Sequence, residues 1–140
     1  MATVRFFVYG PLLAREPEHA KLDGAELAAA ASTVPGYSLV ELGPLAALVR
    51  EGEGTVMGEV YLLEAPTLTR LIGEHPGLYS LAPVPLADGT SAETLLLDAV
   101  NARGKRRIRG GDWRTRLGPL GVPGPRPAGP FVNWARTRRR

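Results

Sequence analysis

The sequence predicts an α+β fold, a small mixed β-sheet or barrel flanked by one or two short helices. Segments in which apolar and polar residues alternate, as they do in strands, outnumber the helical segments, and the helical segments are short. Turns built on Gly and Pro separate these segments at intervals of about eight to twelve residues. With 140 residues, 44% of them hydrophobic, the chain is long enough to bury the core of one domain.

The chain is predicted to begin with a strand at residues 4–9, where an apolar, aromatic run ends at Gly10-Pro11. A loop through Glu16 follows the strand. Residues 21–31 combine a weak amphipathic spacing with an alanine run, which predicts a helix. The candidate core contacts of that helix are Leu22, Ala25 and Leu27.

Short strands and one further helix are predicted in the middle of the chain. Pro66 stands where a proline in the first turn starts a helix, which is expected to end at about Gly73. That helix is expected to bury two leucines, Leu68 and Leu71, and to expose two polar residues, Thr67 and Arg70. The strands are predicted at residues 37–40, 45–49, 55–63, 84–86 and 92–97.

The C-terminal part differs from the rest in charge and composition. Residues 1–102 carry 5 basic and 13 acidic groups, whereas residues 103–140 carry 12 basic and one acidic group. Prolines and glycines alternate from Gly118 to Pro130, so no regular element is expected there. We expect a folded domain over residues 1–116 and a Pro/Gly-rich, Arg-rich extension over residues 117–140. Such an extension either folds back on the acidic body or contacts an acidic protein or another polyanion.

Composition also narrows the class of protein. The chain has no cysteine, which excludes disulfides and thiolate catalysis. No apolar run approaches the roughly 18 residues of a membrane span. Because the first residues lack the pattern of a cleaved secretion signal, a cytoplasmic location is expected. His75 has no second histidine at ligand spacing, so no metal site is predicted.

The segment Val8-Tyr9-Gly10-Pro11-Leu12 resembles Val-Tyr-Gly-Thr-Leu, the opening motif of the γ-glutamylcyclotransferase-like proteins, also called the AIG2-like or butirosin-biosynthesis-like group. Four further matches follow in the family's order and extend the resemblance over about residues 3–116. They are Gly36-Tyr37-x-Leu39, Val56-Met57-Gly58-Glu59-Val60-Tyr61, the helix-to-tyrosine segment 68–79, and Ile108-x-x-Gly111-Asp112-Trp113-Arg114.

The resemblance implies a small barrel with a cavity at the loop after the first strand. Active members convert a γ-glutamyl amine or peptide to 5-oxoproline and the free amine, without metal or cofactor, and use a glutamate as acid and base. Carried over to this chain, the catalytic residue is Glu74. The substrate-binding residues are Tyr9, Gly10, Pro11 and Leu12, whose backbone is expected to hold the substrate carboxylate, together with Tyr79.

Two positions depart from the family pattern. The family places Glu before Gly ahead of the tyrosine, whereas this chain reads Ile72-Gly73-Glu74. Aligning the glycines puts Ile72 at the catalytic position; aligning on His75-Pro76 and Tyr79 puts Glu74 one residue away from it, a rotation of about 100° on a helix. Pro11 replaces the usual threonine and removes a hydroxyl and an N–H group from the loop.

Two functions therefore remain open at the level of sequence. One is an enzyme that cyclises a small γ-glutamyl ligand with Glu74 as acid and base. The alternative is a catalytically inactive member of the family that binds a small ligand or a protein and contacts an acidic partner through its Arg-rich extension.

Overall fold

The computed structural model describes residues 3–116. It contains seven strands, one α-helix and four short 3-10 turns. The strands are β1 Thr3–Val8, β2 Glu26–Ser32, β3 Ser38–Leu42, β4 Leu45–Val49, β5 Met57–Glu64, β6 Tyr79–Pro85 and β7 Ser91–Leu97. The helix is α1 Ala65–Gly73, and the 3-10 turns are Gly10–Leu12, His19–Leu22, Arg109–Gly111 and Trp113–Thr115. The predicted extension 117–140 and its expected acidic partner lie outside the described residues.

All seven strands form one sheet with the order β2-β5-β1-β7-β4-β3, and β6 pairs with β7 beside this path. The sheet is mixed, because β7 runs parallel to β1 and β4 whereas the other pairs are antiparallel. The sheet also curls: the amide of Val34 donates to Pro85 O at 3.1 Å, and the amide of Ala87 donates to Ser32 O at 2.9 Å. These bonds bring β2 against the end of β6, so the predicted α+β fold with a barrel-like mixed sheet is confirmed.

The core lies inside this curl, against β1 and β5. Phe6, Phe7 and Val8 are fully buried, and Trp113 packs into the same cluster from the C-terminal side. The close approach of β5 to β1 depends on Gly58, since a Cβ there would lie 2.2 Å from Val8 O and 2.6 Å from the ring of Phe7. The core thus fixes the end of β1, from which the loop at residues 10–16 begins.

Helix α1 begins with a proline in its first turn, as predicted, and buries Leu68 and Leu71 while Arg70 is exposed. Thr67 is buried, and the prediction that it would be exposed is wrong. Helix α1 packs against the 3-10 turn His19–Leu22, and residues 22–26 line one cavity together with Thr67. This contact joins parts of the chain that are distant in sequence, so the helical periodicity of α1 alone does not predict it.

The predicted helix over residues 21–31 is also wrong. The chain forms a 3-10 turn at His19–Leu22, reverses through Asp23 and Gly24, which both have positive φ angles, and then enters strand β2. The alanine run is extended because β2 pairs with β5 along most of its length. Leu22 is buried as predicted and Ala25 packs against the core, but Leu27 is exposed rather than in the core.

None of the helices within residues 3–116 has the length and apolar character that crossing a membrane requires.

Candidate functional site

A cavity of about 60 Å³ lies between the loop that follows β1 and the C-terminal end of α1. Five of the six residues predicted for the site line it: Tyr9, Pro11, Leu12, Glu74 and Tyr79. The sixth, Gly10, is not part of the wall. The floor is apolar and comes from β1, β4, α1 and β7, with Phe6, Phe7, Val8, Leu45, Ala46, Leu71 and Leu95.

The two tyrosines contribute ring surface to the cavity, while their hydroxyl groups are engaged elsewhere. Tyr9 Oη donates to Leu95 O at 2.6 Å, and Tyr79 Oη donates to Ala46 O at 2.9 Å. Burial raises the pKa of Tyr9 well above its ordinary value and raises the pKa of Tyr79 to about 12. Both phenols are therefore neutral over the physiological pH range and fix the walls of the cavity.

Gly10 shapes the loop rather than the wall. Its φ angle is +64°, and a Cβ at this position would lie 2.6 Å from Ala46 Cβ, so both the backbone conformation and the close approach to β4 favour glycine. Residues 10–12 form a 3-10 turn in which Leu13 N donates to Gly10 O at 3.1 Å. Because Pro11 has no N–H, this loop has one amide fewer for an anion than the family motif implies.

A carboxylate on β5 holds the other side of the loop. Glu59 Oε1 accepts hydrogen bonds from Ala14 N and from Tyr61 Oη, both at 3.0 Å, and Glu59 Oε2 pairs with Arg114 at 3.2 Å. Arg114 also donates to Ala14 O at 2.7 Å, so both backbone groups of Ala14 are bound. Burial alone would raise the pKa of Glu59, but these hydrogen bonds and the Arg114 charge hold that pKa below its ordinary value.

Two further contacts fix the loop at residues 10–16. His19 Nδ1 lies 2.9 Å from Leu12 O, and Trp113 Nε1 donates to a carboxylate oxygen of Glu16 at 3.0 Å. Trp113 belongs to the Gly-Asp-Trp segment, in which Asp112 caps the last 3-10 turn by accepting from Arg114 N at 3.1 Å. The hydrogen bonds of Asp112 and Trp113 are therefore those of a structural cap.

Charged side chains meet at the mouth of the cavity. Lys21 Nζ donates to Glu74 Oε1 at 2.9 Å and also contacts a carboxylate oxygen of Glu18. These two carboxylates raise the pKa of Lys21, chiefly through their hydrogen bonds. Of the two alternatives for the family's catalytic position, Glu74 lines the cavity, whereas Ile72 is 38% exposed and is not part of the wall.

Sequence reasoning did not identify the charged group formed by Glu18, Lys21 and Glu74. The lysine lies on the 3-10 turn His19–Leu22 and Glu74 lies at the end of α1, so only the fold brings them together. Sequence reasoning also left the role of Glu59 open, although the Gly-Glu-Val-Tyr motif marked the residue. No cluster of three or more His, Asp or Glu side chains suited to a metal ion occurs within residues 3–116.

The arrangement combines a carboxylate, an ammonium group and an apolar floor in a small cavity. A carboxylate at the mouth can accept a proton from a bound amine and return it to a leaving group. Because the floor is apolar and both phenols are engaged, the polar side chains left to determine what binds are Glu18, Lys21, Glu74 and His75.

Comparison with known proteins gives one family. The sequence profile of "Gamma-glutamyl cyclotransferase, AIG2-like" matches residues 6–115. A protein of Vibrio cholerae serotype O1 named "Putative gamma-glutamylcyclotransferase" is 34% identical over 113 residues, which cover 79% of this chain and 96% of that protein.

Solved structures agree with this family in fold. The solution structure of ytfP from Escherichia coli is 32% identical, with a TM-score of 0.63 over 80% of this chain and 97% of that chain. The crystal structure of c4763, described as a uropathogenic E. coli-specific protein, has a TM-score of 0.74 at 22% identity over 82% of this chain and 95% of that chain. At this lower identity the likeness concerns the fold alone.

Proposed function

The chain belongs to the γ-glutamyl cyclotransferase, AIG2-like family, and on that premise we propose that it converts a small γ-glutamyl amine or peptide to 5-oxoproline and the free amine. The observation that carries the proposal is that Glu74 lines the same cavity as Tyr9, Pro11 and Leu12. That proximity gives a general acid and base to a site whose walls match the family's substrate-binding loop.

The reaction needs no group beyond the substrate and a carboxylate. The α-ammonium of the γ-glutamyl group gives a proton to Glu74, and the free amine nitrogen then attacks the γ-carbonyl carbon. A new C–N bond closes the five-membered ring, and Glu74 gives its proton to the amide nitrogen as the original amide C–N bond breaks. The ring nitrogen then loses its second proton to Glu74, which passes it to the departing amine, so that 5-oxoproline and the protonated amine are left. Holding the amine and the carbonyl together in a small cavity supplies the entropic part of the rate enhancement.

Glu74→Gln tests this assignment. We expect the substitution to lower 5-oxoproline release from γ-glutamyl amines by about 10²–10⁴-fold, because glutamine accepts hydrogen bonds but does not take up the proton. The measurement is 5-oxoproline formed per unit time by the full chain. Glu53→Gln is the matched control, because Glu53 is exposed and lies away from the cavity.

A second variant separates the two candidate positions. Ile72→Glu places a carboxylate at the other position that the family pattern allows, on an exposed side chain where the fold tolerates it. If Glu74 is the acid and base, Ile72→Glu does not restore the activity of Glu74→Gln. Full activity of Glu74→Gln, or no turnover of any γ-glutamyl substrate by the folded wild-type protein, would overturn the proposal.

A further inference from the structure

One cation lies in the cavity, and the family motif does not account for it. Lys21 is the only Lys or Arg among the described residues that line the wall. It comes from the 3-10 turn His19–Leu22 rather than from the loop at residues 10–12. The position of Lys21 at the mouth therefore raises the question of what this side chain binds.

The backbone under Lys21 is fixed. Arg70 on α1 donates to Lys21 O at 2.7 Å, and the next residue, Leu22, is buried in the core. The side chain is held as well, by Glu74 at 2.9 Å and by Glu18. An ammonium group has three N–H donors, and these two carboxylates use two of them, so one donor of Lys21 is left for a ligand.

The loop after β1 leaves a need for such a donor. Pro11 has no N–H, and the amide of Leu13 donates to Gly10 O within the 3-10 turn. A substrate carboxylate that entered the cavity would therefore find one backbone donor fewer on this loop than the family motif provides. A positive charge at the mouth supplies what the loop lacks, and charge-assisted hydrogen bonds are stronger than those of a neutral amide.

At the mouth the positive charge of Lys21 lies between the negative charges of Glu18 and Glu74, and the three charges sum to −1. The α-carbon of a γ-glutamyl group carries one ammonium and one carboxylate. If the substrate ammonium faces Glu74 and the substrate carboxylate faces Lys21, each charge of this zwitterion lies against a side chain of opposite charge.

We propose that Lys21 binds the α-carboxylate of the γ-glutamyl substrate, and that it thereby selects γ-glutamyl compounds over otherwise identical 4-aminobutyryl compounds. This assignment rests on the proposed function of the same cavity. On this assignment the substrate helps to activate Glu74. When the substrate carboxylate binds Lys21, it draws the Lys21 ammonium away from Glu74. The carboxylate of Glu74 is then free to form a hydrogen bond with the substrate ammonium.

Equilibrium binding of a matched ligand pair tests the assignment without relying on turnover. L-Glutamine carries the α-ammonium, the α-carboxylate and the γ-carboxamide, and 4-aminobutyramide is the same molecule without the carboxylate. The dissociation constants of both are measured by calorimetry on the full chain for the wild type, Lys21→Met, Lys21→Arg and Lys105→Met. 5-Oxoproline is quantified after each titration so that any turnover is corrected.

The informative quantity is the ratio of the two dissociation constants, glutamine over 4-aminobutyramide. We expect Lys21→Met to raise this ratio by about tenfold to one hundredfold, which is the range for losing a hydrogen bond to a charged group. Lys21→Arg keeps the charge and recovers part of the loss. Lys105→Met makes the same substitution in the exposed basic segment after β7 and leaves the ratio unchanged.

Two results would overturn the assignment. One is a ratio that is the same in Lys21→Met and in the wild type. The other is a folded wild-type protein that does not bind glutamine at tens of millimolar. Either result leaves the cyclotransferase proposal standing wherever the wild type still releases 5-oxoproline, because that reaction is assayed separately through Glu74→Gln.

Discussion

Among single residues, Glu59 has the densest set of contacts around the loop. Its side chain is 13% exposed, and its carboxylate binds Ala14 N, Tyr61 Oη and Arg114 at once. It also raises the pKa of Tyr61, which burial and the Glu59 hydrogen bond together bring to about 12. This residue connects β5 to the loop and the loop to the Gly-Asp-Trp segment.

The Glu59 contacts predict a pH-dependent contribution to stability. The pKa of Glu59 is lower in the folded state than in the unfolded chain, so its stabilising effect is fully present above the unfolded pKa and is lost as the pH falls through the folded pKa. We expect Glu59→Gln to lower the free energy of unfolding by about 1–2 kcal/mol at neutral pH. Urea unfolding at several pH values should show this difference shrinking in acid.

Glu53→Gln serves as the comparison for this pH series, because Glu53 is exposed and forms no hydrogen bond or ion pair within residues 3–116. We expect it to change stability little at any pH. A Glu59→Gln difference that stays constant from neutral to acid pH would contradict the assigned role of the carboxylate charge.

Gly10 allows backbone strain and steric contact to be separated. Gly10→Ala combines a positive φ angle with a Cβ 2.6 Å from Ala46 Cβ, whereas Gly24→Ala has a positive φ angle and no atom within 4 Å. We expect Gly24→Ala to cost about 1 kcal/mol of unfolding free energy, and Gly10→Ala to cost about 1–3 kcal/mol more through overpacking. Thermal or urea unfolding measures both.

Removing the opposing methyl group checks the steric part. Ala46→Gly in the Gly10→Ala background should return the cost toward that of Gly24→Ala, since the Cβ that opposes the new side chain is gone. No recovery in the double variant would mean that the left-handed backbone conformation alone requires glycine at position 10.

Among the structural elements, the Gly-Asp-Trp segment acts on the site through the loop at residues 10–16. Trp113 is buried, and its Nε1–H donates to Glu16 at 3.0 Å. We expect Glu16→Ala to cost about 1–3 kcal/mol, because it leaves a buried donor without its partner. In a double-mutant cycle with Trp113→Phe we expect a coupling of about 1 kcal/mol.

The cycle is measured by urea unfolding, with Glu53→Ala as the surface control. Additive effects of Glu16→Ala and Trp113→Phe would mean that the hydrogen bond does not hold the loop. Hydrogen exchange at the loop amides supplies a second readout, since a loosened loop exchanges faster while the strand amides of β1 keep their protection.

The elements also show where sequence patterns predict structure and where they fail. The predictions for β1, β3, β4, β5, β7 and α1 rest on apolar alternation or on a first-turn proline, and the structure has each of them within a few residues. The pattern at β6 marked only its end, at Val84 and Pro85. The alanine run in β2 favours a helix locally, and the pairing with β5 decides otherwise because it satisfies backbone groups along most of the strand.

For the whole molecule, the described residues 3–116 contain an extensive hydrophobic core. Its largest cluster extends along the chain from Phe6 to Trp113. We expect deletion of residues 117–140 to leave the unfolding temperature within a few degrees of the full-length value. Calorimetric or fluorescence melting of both chains measures this, and a large drop would show that the domain boundary at residue 116 is misplaced.

The candidate site was predicted in part. The motif matches led to Tyr9, Pro11, Leu12, Glu74 and Tyr79, which all line one cavity. They did not lead to Lys21, because neither the lysine nor its distance to Glu74 is encoded in a local motif. The catalytic role of Glu74 stays a prediction, and the path of the chain at the end of α1 supports it because Glu74 lines the cavity whereas Ile72 is exposed.

The sequence by itself determined the family, the positions of most strands along the chain and the residues around the opening loop, because these depend on short-range patterns and ordered motifs. The tertiary structure alone decided that residues 26–32 are a strand, that Glu59 and Trp113 hold the loop, and that Lys21 meets Glu74 at the cavity. Each of these depends on contacts between segments far apart in the chain. Such contacts are chosen by the packing of the whole fold rather than by the preferences of any one segment.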